Sequence, residues 1–133
     1  MRIYLDTSAL VKLVVAENES QALRSFLATE SGGSLFSAGL ARTELIRAVA
    51  ANGAQAIAAA RKLLGTLDIV MLTRQLLDDA GILRPLRLRS LDAIHLVAAQ
   101  RAGDTLRAVV TYDTRMLSAA EELAIPTASP RQV

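Results

Sequence analysis

Residues 1–15 read MRIYLDTSALVKLVV. Ile3, Tyr4 and Leu5 form a short continuous apolar run, the pattern of a strand covered on both faces, and Asp6 stands where that run stops. Leu10, Leu13 and Val14 then recur at helical spacing. A buried strand that passes through an acid into a helix is how a parallel α/β sheet begins. Two roles are open to Asp6. It can cap a helix starting at Thr7, a frequent job for Asp between a strand and a helix. Its carboxylate can instead face a site at the strand's carboxyl end, where open parallel sheets bind their ligands.

The rest of the chain repeats the alternation. A helical pattern covers about Ser20 to Thr29 and stops at Gly32 and Gly33; a short strand, Ser34 to Ser37, feeds a helix from about Gly39 to Ala51, ended by Asn52 and Gly53. A helix from about Ala54 to Leu64 precedes the apolar strand Ile69 to Leu72, and another, near Arg74 to Leu83, breaks at Pro85. Ser90 reads as the N-cap of a helix over Leu91 to Arg101, with Gly103 past its end. Ala108 to Thr111 is a strand, Tyr112 to Leu123 mostly a helix, and Ile125 to Ala128 a last short strand. Alternation throughout implies a parallel sheet with helices on both faces, and residues 1–133 are expected to form one domain, with no internal repeat and no linker.

Composition narrows the functional classes. Hydrophobic residues make up 52% of the chain without a single Trp, so the core must be built from Leu, Val, Ile and Ala. The absence of cysteine excludes a disulfide framework, a thiolate metal site and a cysteine nucleophile together. No apolar stretch approaches the ~18 residues of a membrane span, and Asp6 interrupts the only region that could develop into a signal peptide. A soluble cytoplasmic protein is therefore expected. The net charge is only +2, but of the 15 basic residues only Lys12 and Lys62 are lysines. Arginine suits bidentate phosphate contacts, so a nucleic-acid partner is permitted.

Four acids stand out by position. "IYLDT" and "VVTYD" both run from apolar strand to acid, which puts Asp6 and Asp113 at the same, carboxyl, edge of one sheet. Glu44 in "ARTELIRAV" and Asp92 in "RSLDAIHLVAA" interrupt apolar helices, where a carboxylate needs a partner. Each has an ordinary alternative: Asp92 can favour the helix dipole, Glu44 can pair with Arg47 or stay solvated, and Asp113 can cap a helix. Joint placement points elsewhere. Hard divalent cations such as Mg2+ and Mn2+ take oxygen ligands, and a carboxylate cluster without a metal would repel itself.

With those four positions assembled, the chain resembles the PIN-domain ribonucleases, most closely the VapC toxins of toxin–antitoxin pairs. "LDTSAL" matches the opening strand–Asp–hydroxyl motif, Glu44 the acid of a central helix, "LDAIHLVAA" the third motif and "VVTYD" the strand that ends T-x-D. The similarity covers nearly the whole chain. Met116 departs from it, standing where many relatives carry an aromatic residue. The resemblance implies a three-layer α/β/α sandwich with a short parallel sheet of four to five strands. It implies an acidic cluster of Asp6, Glu44, Asp92 and Asp113 supported by Thr7 and Thr111, with Asp6, Asp92 and Asp113 holding Mg2+ or Mn2+ directly or through water, and Glu44 either orienting the attacking water or standing behind the ligands to support them. His95, one turn from Asp92, suits a structural hydrogen bond to it.

The implied activity is metal-dependent endoribonucleolytic cleavage of single-stranded RNA, leaving 5′-phosphate and 3′-hydroxyl ends, by a homodimer that a VapB-type antitoxin restrains. Arg84, Arg87 and Arg89 are candidate RNA contacts by composition. A non-catalytic antitoxin-binding or repressor subunit is the alternative. A phosphoacceptor α/β domain fits poorly, because Thr7 and Ser8 follow Asp6 and no lysine follows a late strand.

Overall fold

The computed structural model describes residues 1–30 and 32–131. Five strands, β1 (Arg2–Leu5), β2 (Ser34–Ala38), β3 (Asp68–Val70), β4 (Leu106–Val110) and β5 (Thr127–Ala128), form one sheet in the order β3-β2-β1-β4-β5. Every pairing is parallel, with Ile3 of β1 between Leu35 of β2 and Ala108 of β4. The helices are α1 (Thr7–Val14), α2 (Ser20–Thr29), α3 (Leu40–Val49), α4 (Ala54–Thr66), α5 (Arg74–Gly81), α6 (Ser90–Gln100) and α7 (Thr114–Glu122).

Side-chain alternation along β1 divides the core into two layers. Tyr4 points to one face, where it joins Phe36, Val109 and the buried sides of α5, α6 and α7. Ile3 and Leu5 point to the other, against Leu10 of α1, Leu23 of α2, Leu45 of α3 and Leu64 of α4. The expected three-layer sandwich is therefore present, with a sheet of five strands. Met116 lies in the first layer at 2% exposure, filling core space as a flexible thioether.

Two glycines act as expected of chain punctuation. Gly53 takes φ 99° between a 3₁₀ turn (Ala50–Asn52) and α4, and a Cβ on Gly33 would lie 2.6 Å from the Met1 carbonyl oxygen. Several boundaries differ from the sequence expectation. The helix expected through Ala51 ends its α-helical part at Val49, and the helix expected from Tyr112 starts only at Thr114, because Asp113 is its cap. Ser90 is not an N-cap. Arg89 is extended, ψ 153°, so the helix starts at Ser90 itself and the serine hydroxyl makes no capping bond.

The strand order fixes where a site can form. From β1 the chain moves outward through β2 and β3 on one side, then returns to place β4 and β5 on the other. The helix after β1 packs on one face and the helix after β4 on the opposite face. The switch point thus falls between β1 and β4, at the carboxyl edge where Asp6 and Asp113 follow their strands.

Candidate active site

Asp6 is 3% exposed and divides its carboxylate between two tasks. Oδ1 accepts the Ala9 backbone N–H at 3.0 Å, capping α1, and the Ser8 hydroxyl at 2.7 Å. Oδ2 accepts a short hydrogen bond from Thr111 Oγ1. Burial raises its pKa above the ordinary carboxylate value, and the bonds from Thr111, Ser8 and Ala9 hold that rise back. Asp113 repeats the division at the end of β4. Its Oδ1 caps α7 by accepting Arg115 N–H at 2.9 Å and Met116 N–H at 3.3 Å, while Oδ2 faces Arg89. Thr111 links the two aspartates, since its Oγ1 also accepts the Asp113 backbone N–H at 3.1 Å.

Asp92 sits in the first turn of α6, 8% exposed. Arg89 joins it to Asp113: Nε lies 3.2 Å from Asp92 Oδ2 and Nη2 lies 3.3 Å from Asp113 Oδ2. Among the described residues Glu44 pairs with neither Arg47 nor any other Arg or Lys; its carboxylate meets Thr7 and His95 instead. Its Oε1 accepts Thr7 Oγ1 at 2.6 Å and faces His95 Nε2 at 2.7 Å. Burial opposes the charge on Glu44, but the bonds from His95 and Thr7 outweigh it and hold its pKa below the ordinary value.

His95 does not bond Asp92 as its one-turn spacing suggested. Its Nδ1 faces the Tyr4 hydroxyl at 2.5 Å. Desolvation drives the Tyr4 pKa far upward, so the phenol keeps its proton and donates to Nδ1, leaving Nε2–H to donate to Glu44. Tyr4 and His95 are both buried, and neither Tyr4 nor Ser8 was expected to serve the site. Ser8 accepts the Tyr112 N–H at 2.9 Å while donating to Asp6, tying the turn after β1 to the turn after β4. A hydroxyl two residues after a strand-end acid was the only available signal for it.

The three candidate arginines separate. Arg89 bridges site acids, Arg87 pairs with Glu122 at 2.5 Å, and Arg84 is exposed with no ion pair among the described residues. A groove of about 370 Å³, reached by Arg89 from the acids, is lined by Arg87, Arg89, Thr114, Arg115 and Ser118 together with the apolar Pro85, Leu88 and Ala119.

The pattern of the PIN domain family matches residues 3–122. The chain belongs to the PIN-domain family. This PIN-domain chain is 47% identical over 128 residues to Ribonuclease VapC46 of Mycobacterium tuberculosis (strain ATCC 25618 / H37Rv), covering 96% of this chain and 97% of that one. It is 46% identical over 134 residues to Ribonuclease VapC47 of the same species (strain CDC 1551 / Oshkosh), covering 98% of both. Among solved structures, a toxin–antitoxin complex from Klebsiella pneumoniae superposes with a TM-score of 0.71 at 18% identity, covering 100% of both chains. Mycobacterium tuberculosis VapC20, a sarcin-ricin loop cleaving toxin, gives 0.73 at 17% identity over 88% of this chain and 94% of that one. These two structures share the fold.

The donor set of the PIN-domain chain is oxygen throughout: carboxylates and the hydroxyls of Thr7, Ser8 and Thr111. That chemistry fits Mg2+ or Mn2+ and suits softer ions poorly. Among the described residues no three Asp, Glu or His side chains form a ready-made ion cage. The Arg89 guanidinium stands between Asp92 and Asp113 as a cation in its own right, and a metal held there would take its place.

Proposed function

We propose that the protein is a metal-dependent endoribonuclease that hydrolyses single-stranded RNA, the toxin of a type II toxin–antitoxin pair. The observation that carries this reading is the relay of contacts at the switch point of the sheet: Thr111 ties the Asp6 carboxylate to the Asp113 backbone N–H, and Arg89 ties the Asp113 carboxylate to that of Asp92. The names of the VapC relatives support ribonuclease activity.

Asp6, Asp92 and Asp113 would hold Mg2+ or Mn2+. When bound, the metal lowers the pKa of a water and neutralises charge that grows on the phosphoryl group. Glu44 stays ionised under its bonds from Thr7 and His95, and both use Oε1, which leaves Oε2 to accept a proton from the attacking water and set its line of approach. Thr111 fixes the Asp6 carboxylate, and through the Asp113 N–H it fixes the second strand end as well. In-line attack breaks the P–O3′ bond, and the departing oxygen takes a proton from solvent water, leaving 5′-phosphate and 3′-hydroxyl ends.

The partner reading follows from the same site. A VapB-type antitoxin would silence it, and the toxin–antitoxin complex among the structural neighbours gives that reading its precedent. A homodimer is supported by Met71, Leu77, Ile82, Leu86 and Leu91, large apolar side chains exposed along a single stretch around α5 and the start of α6. Among the described residues no helix is long and apolar enough to cross a membrane. The reading takes the chain as a single domain acting in the cytoplasm, supported by VapC relatives that it matches over nearly their full length.

The test is cleavage of total RNA with end mapping, in chelator and in Mg2+ or Mn2+, for the wild type and Asp92→Asn. Cleavage only with metal, lost in the variant, is the expected result. Metal-independent cleavage, or equal cleavage by Asp92→Asn, overturns the reading.

A further inference from the structure

The geometry points to Arg89 as a resident counter-cation: it occupies the position between Asp92 and Asp113 when no metal is held, and turns into the adjoining groove to bind an RNA phosphate when one is. This rests on the metal-dependent reading above.

Asp92 and Asp113 present their Oδ2 atoms to the same guanidinium. Without a cation between them two carboxylates so placed repel each other. Arg89 relieves this, but its hold is weak. It gives each acid a single hydrogen bond, at 3.2 and 3.3 Å, longer than the ~2.7–2.9 Å of strong charge-assisted pairs. Its side chain is 59% exposed while that of Asp92 is 12% exposed, so the arginine can leave without opening the core, whereas the acid cannot follow it. A divalent ion brings twice the charge to the same oxygens and displaces it.

The displaced side chain has somewhere to go. Arg89 already lines the groove of about 370 Å³, together with Arg87, Arg115, Thr114 and Ser118. Arg115 is exposed and has no ion pair among the described residues, and Arg87 has only the exposed Glu122. The groove has an apolar floor of Pro85, Leu88 and Ala119 with three guanidiniums and two hydroxyls around it, so phosphates of a single strand can meet the arginines while sugar and base faces lie on the apolar part. Metal and RNA binding are then coupled: metal frees the arginine for phosphate, and phosphate keeps it from returning to the acids. Reciprocity requires each ligand to strengthen the other.

The test separates the two halves. Mn2+ affinity is measured without RNA, by the loss of the free-ion paramagnetic signal, for the wild type, Arg89→Ala and Arg89→Gln at one ionic strength. Removing an exposed competitor of this kind should tighten Mn2+ binding by about three- to tenfold in both variants. Binding of a labelled single-stranded RNA is then read by fluorescence anisotropy in a Glu44→Gln background, which silences cleavage without removing a proposed metal ligand. Mn2+ should strengthen RNA binding there, and Arg89→Ala should remove most of that gain. Equal Mn2+ affinity in all three proteins overturns the counter-cation role, while metal-dependent cleavage by the wild type would leave the nuclease reading standing. Unchanged Mn2+-stimulated RNA binding in Arg89→Ala overturns the phosphate role. Failure of all three folded proteins to bind Mn2+ overturns both the proposal and the metal-dependent reading beneath it.

Discussion

His95 Nε2 lies 2.7 Å from Glu44 Oε1, and the Tyr4 hydroxyl closes on the other ring nitrogen, so an acid at the rim of the site is held from within the core. Tyr4→Phe keeps the ring and its edge-on contact with Phe36, whose centroid is 5.1 Å away, and removes the hydroxyl that donates to Nδ1. A buried nitrogen left without its partner costs about 1–3 kcal/mol. Urea unfolding should show that loss and RNA cleavage should slow, while Mn2+ affinity, which does not run through Glu44, should hold. Wild-type stability and turnover in Tyr4→Phe would show that the chain from Tyr4 to Glu44 is idle.

Asp6→Asn should be more stable than the wild type in chelator at neutral pH. The folded-state pKa of Asp6 lies above its ordinary 3.8, so the unfolded chain releases that proton first. Stability therefore falls as pH rises from 3.8 through the folded value, and the asparagine removes this slope. Added Mn2+ should reverse the order, stabilising only the wild type, and cleavage by the variant should drop at least ~100-fold, the upper range for lost ligand interactions. A thermal-unfolding series across pH, with and without metal, checks it. An unchanged slope in Asp6→Asn would remove Asp6 as its source.

Asp113 allows its two oxygens to be separated by substitution. Asparagine can still cap α7 through its carbonyl, whereas alanine leaves the Arg115 and Met116 N–H groups without an acceptor. Asp113→Asn should stay within ~0.5 kcal/mol of wild type in chelator, and Asp113→Ala should lose about 0.5–2 kcal/mol. Both should lose metal-induced stabilisation. If either variant gains as much stability from Mn2+ as the wild type does, Asp113 serves only the helix.

The layout of the fold was legible because its signals are local. The Ile3–Leu5 run, the acid that follows it and the repeat of that pattern at Asp113 each lie within a few adjacent residues. Capping and site roles for Asp6 and Asp113 looked like alternatives in the sequence; in the structure one oxygen of each carboxylate caps a helix and the other meets Thr111 or Arg89, so a cap does not use up the carboxylate. The Tyr4–His95–Glu44 chain was not legible. It joins a strand and two helices, and α6 is buried on nearly every side, so the three-residue interval from Asp92 to His95 says nothing of which partner His95 meets. Arg89 was hidden for a similar reason: its tie to Asp113 spans 24 residues, while its sequence neighbourhood showed only an arginine-rich connection. Arg87, expected as an RNA contact, already has Glu122 as a partner.

Thr111 makes the sharpest test of how the two strand ends are coupled. Its hydroxyl donates to Asp6 Oδ2 and accepts the Asp113 N–H at 3.1 Å, and the residue is fully buried. Thr111→Val preserves shape and β-branching while deleting both bonds. The bond to Asp6 is one of those holding that carboxyl's pKa down, so its loss drives the folded-state pKa higher still. At acid pH, where Asp6 is protonated in both states, the substitution costs the Asp113 N–H acceptor and a neutral hydrogen bond to the Asp6 carboxyl, about 1–3 kcal/mol together. As pH rises past 3.8 the unfolded chain ionises while the variant's folded state resists, so the deficit against wild type should widen by a further ~1–2 kcal/mol towards neutrality. Urea unfolding in chelator at a series of pH values from 3 to 8, roughly the range over which a displaced carboxyl titrates, reads this directly. A deficit that stays constant with pH would mean that Thr111 supports the backbone at Asp113 alone and leaves the Asp6 charge to Ser8 and the Ala9 N–H.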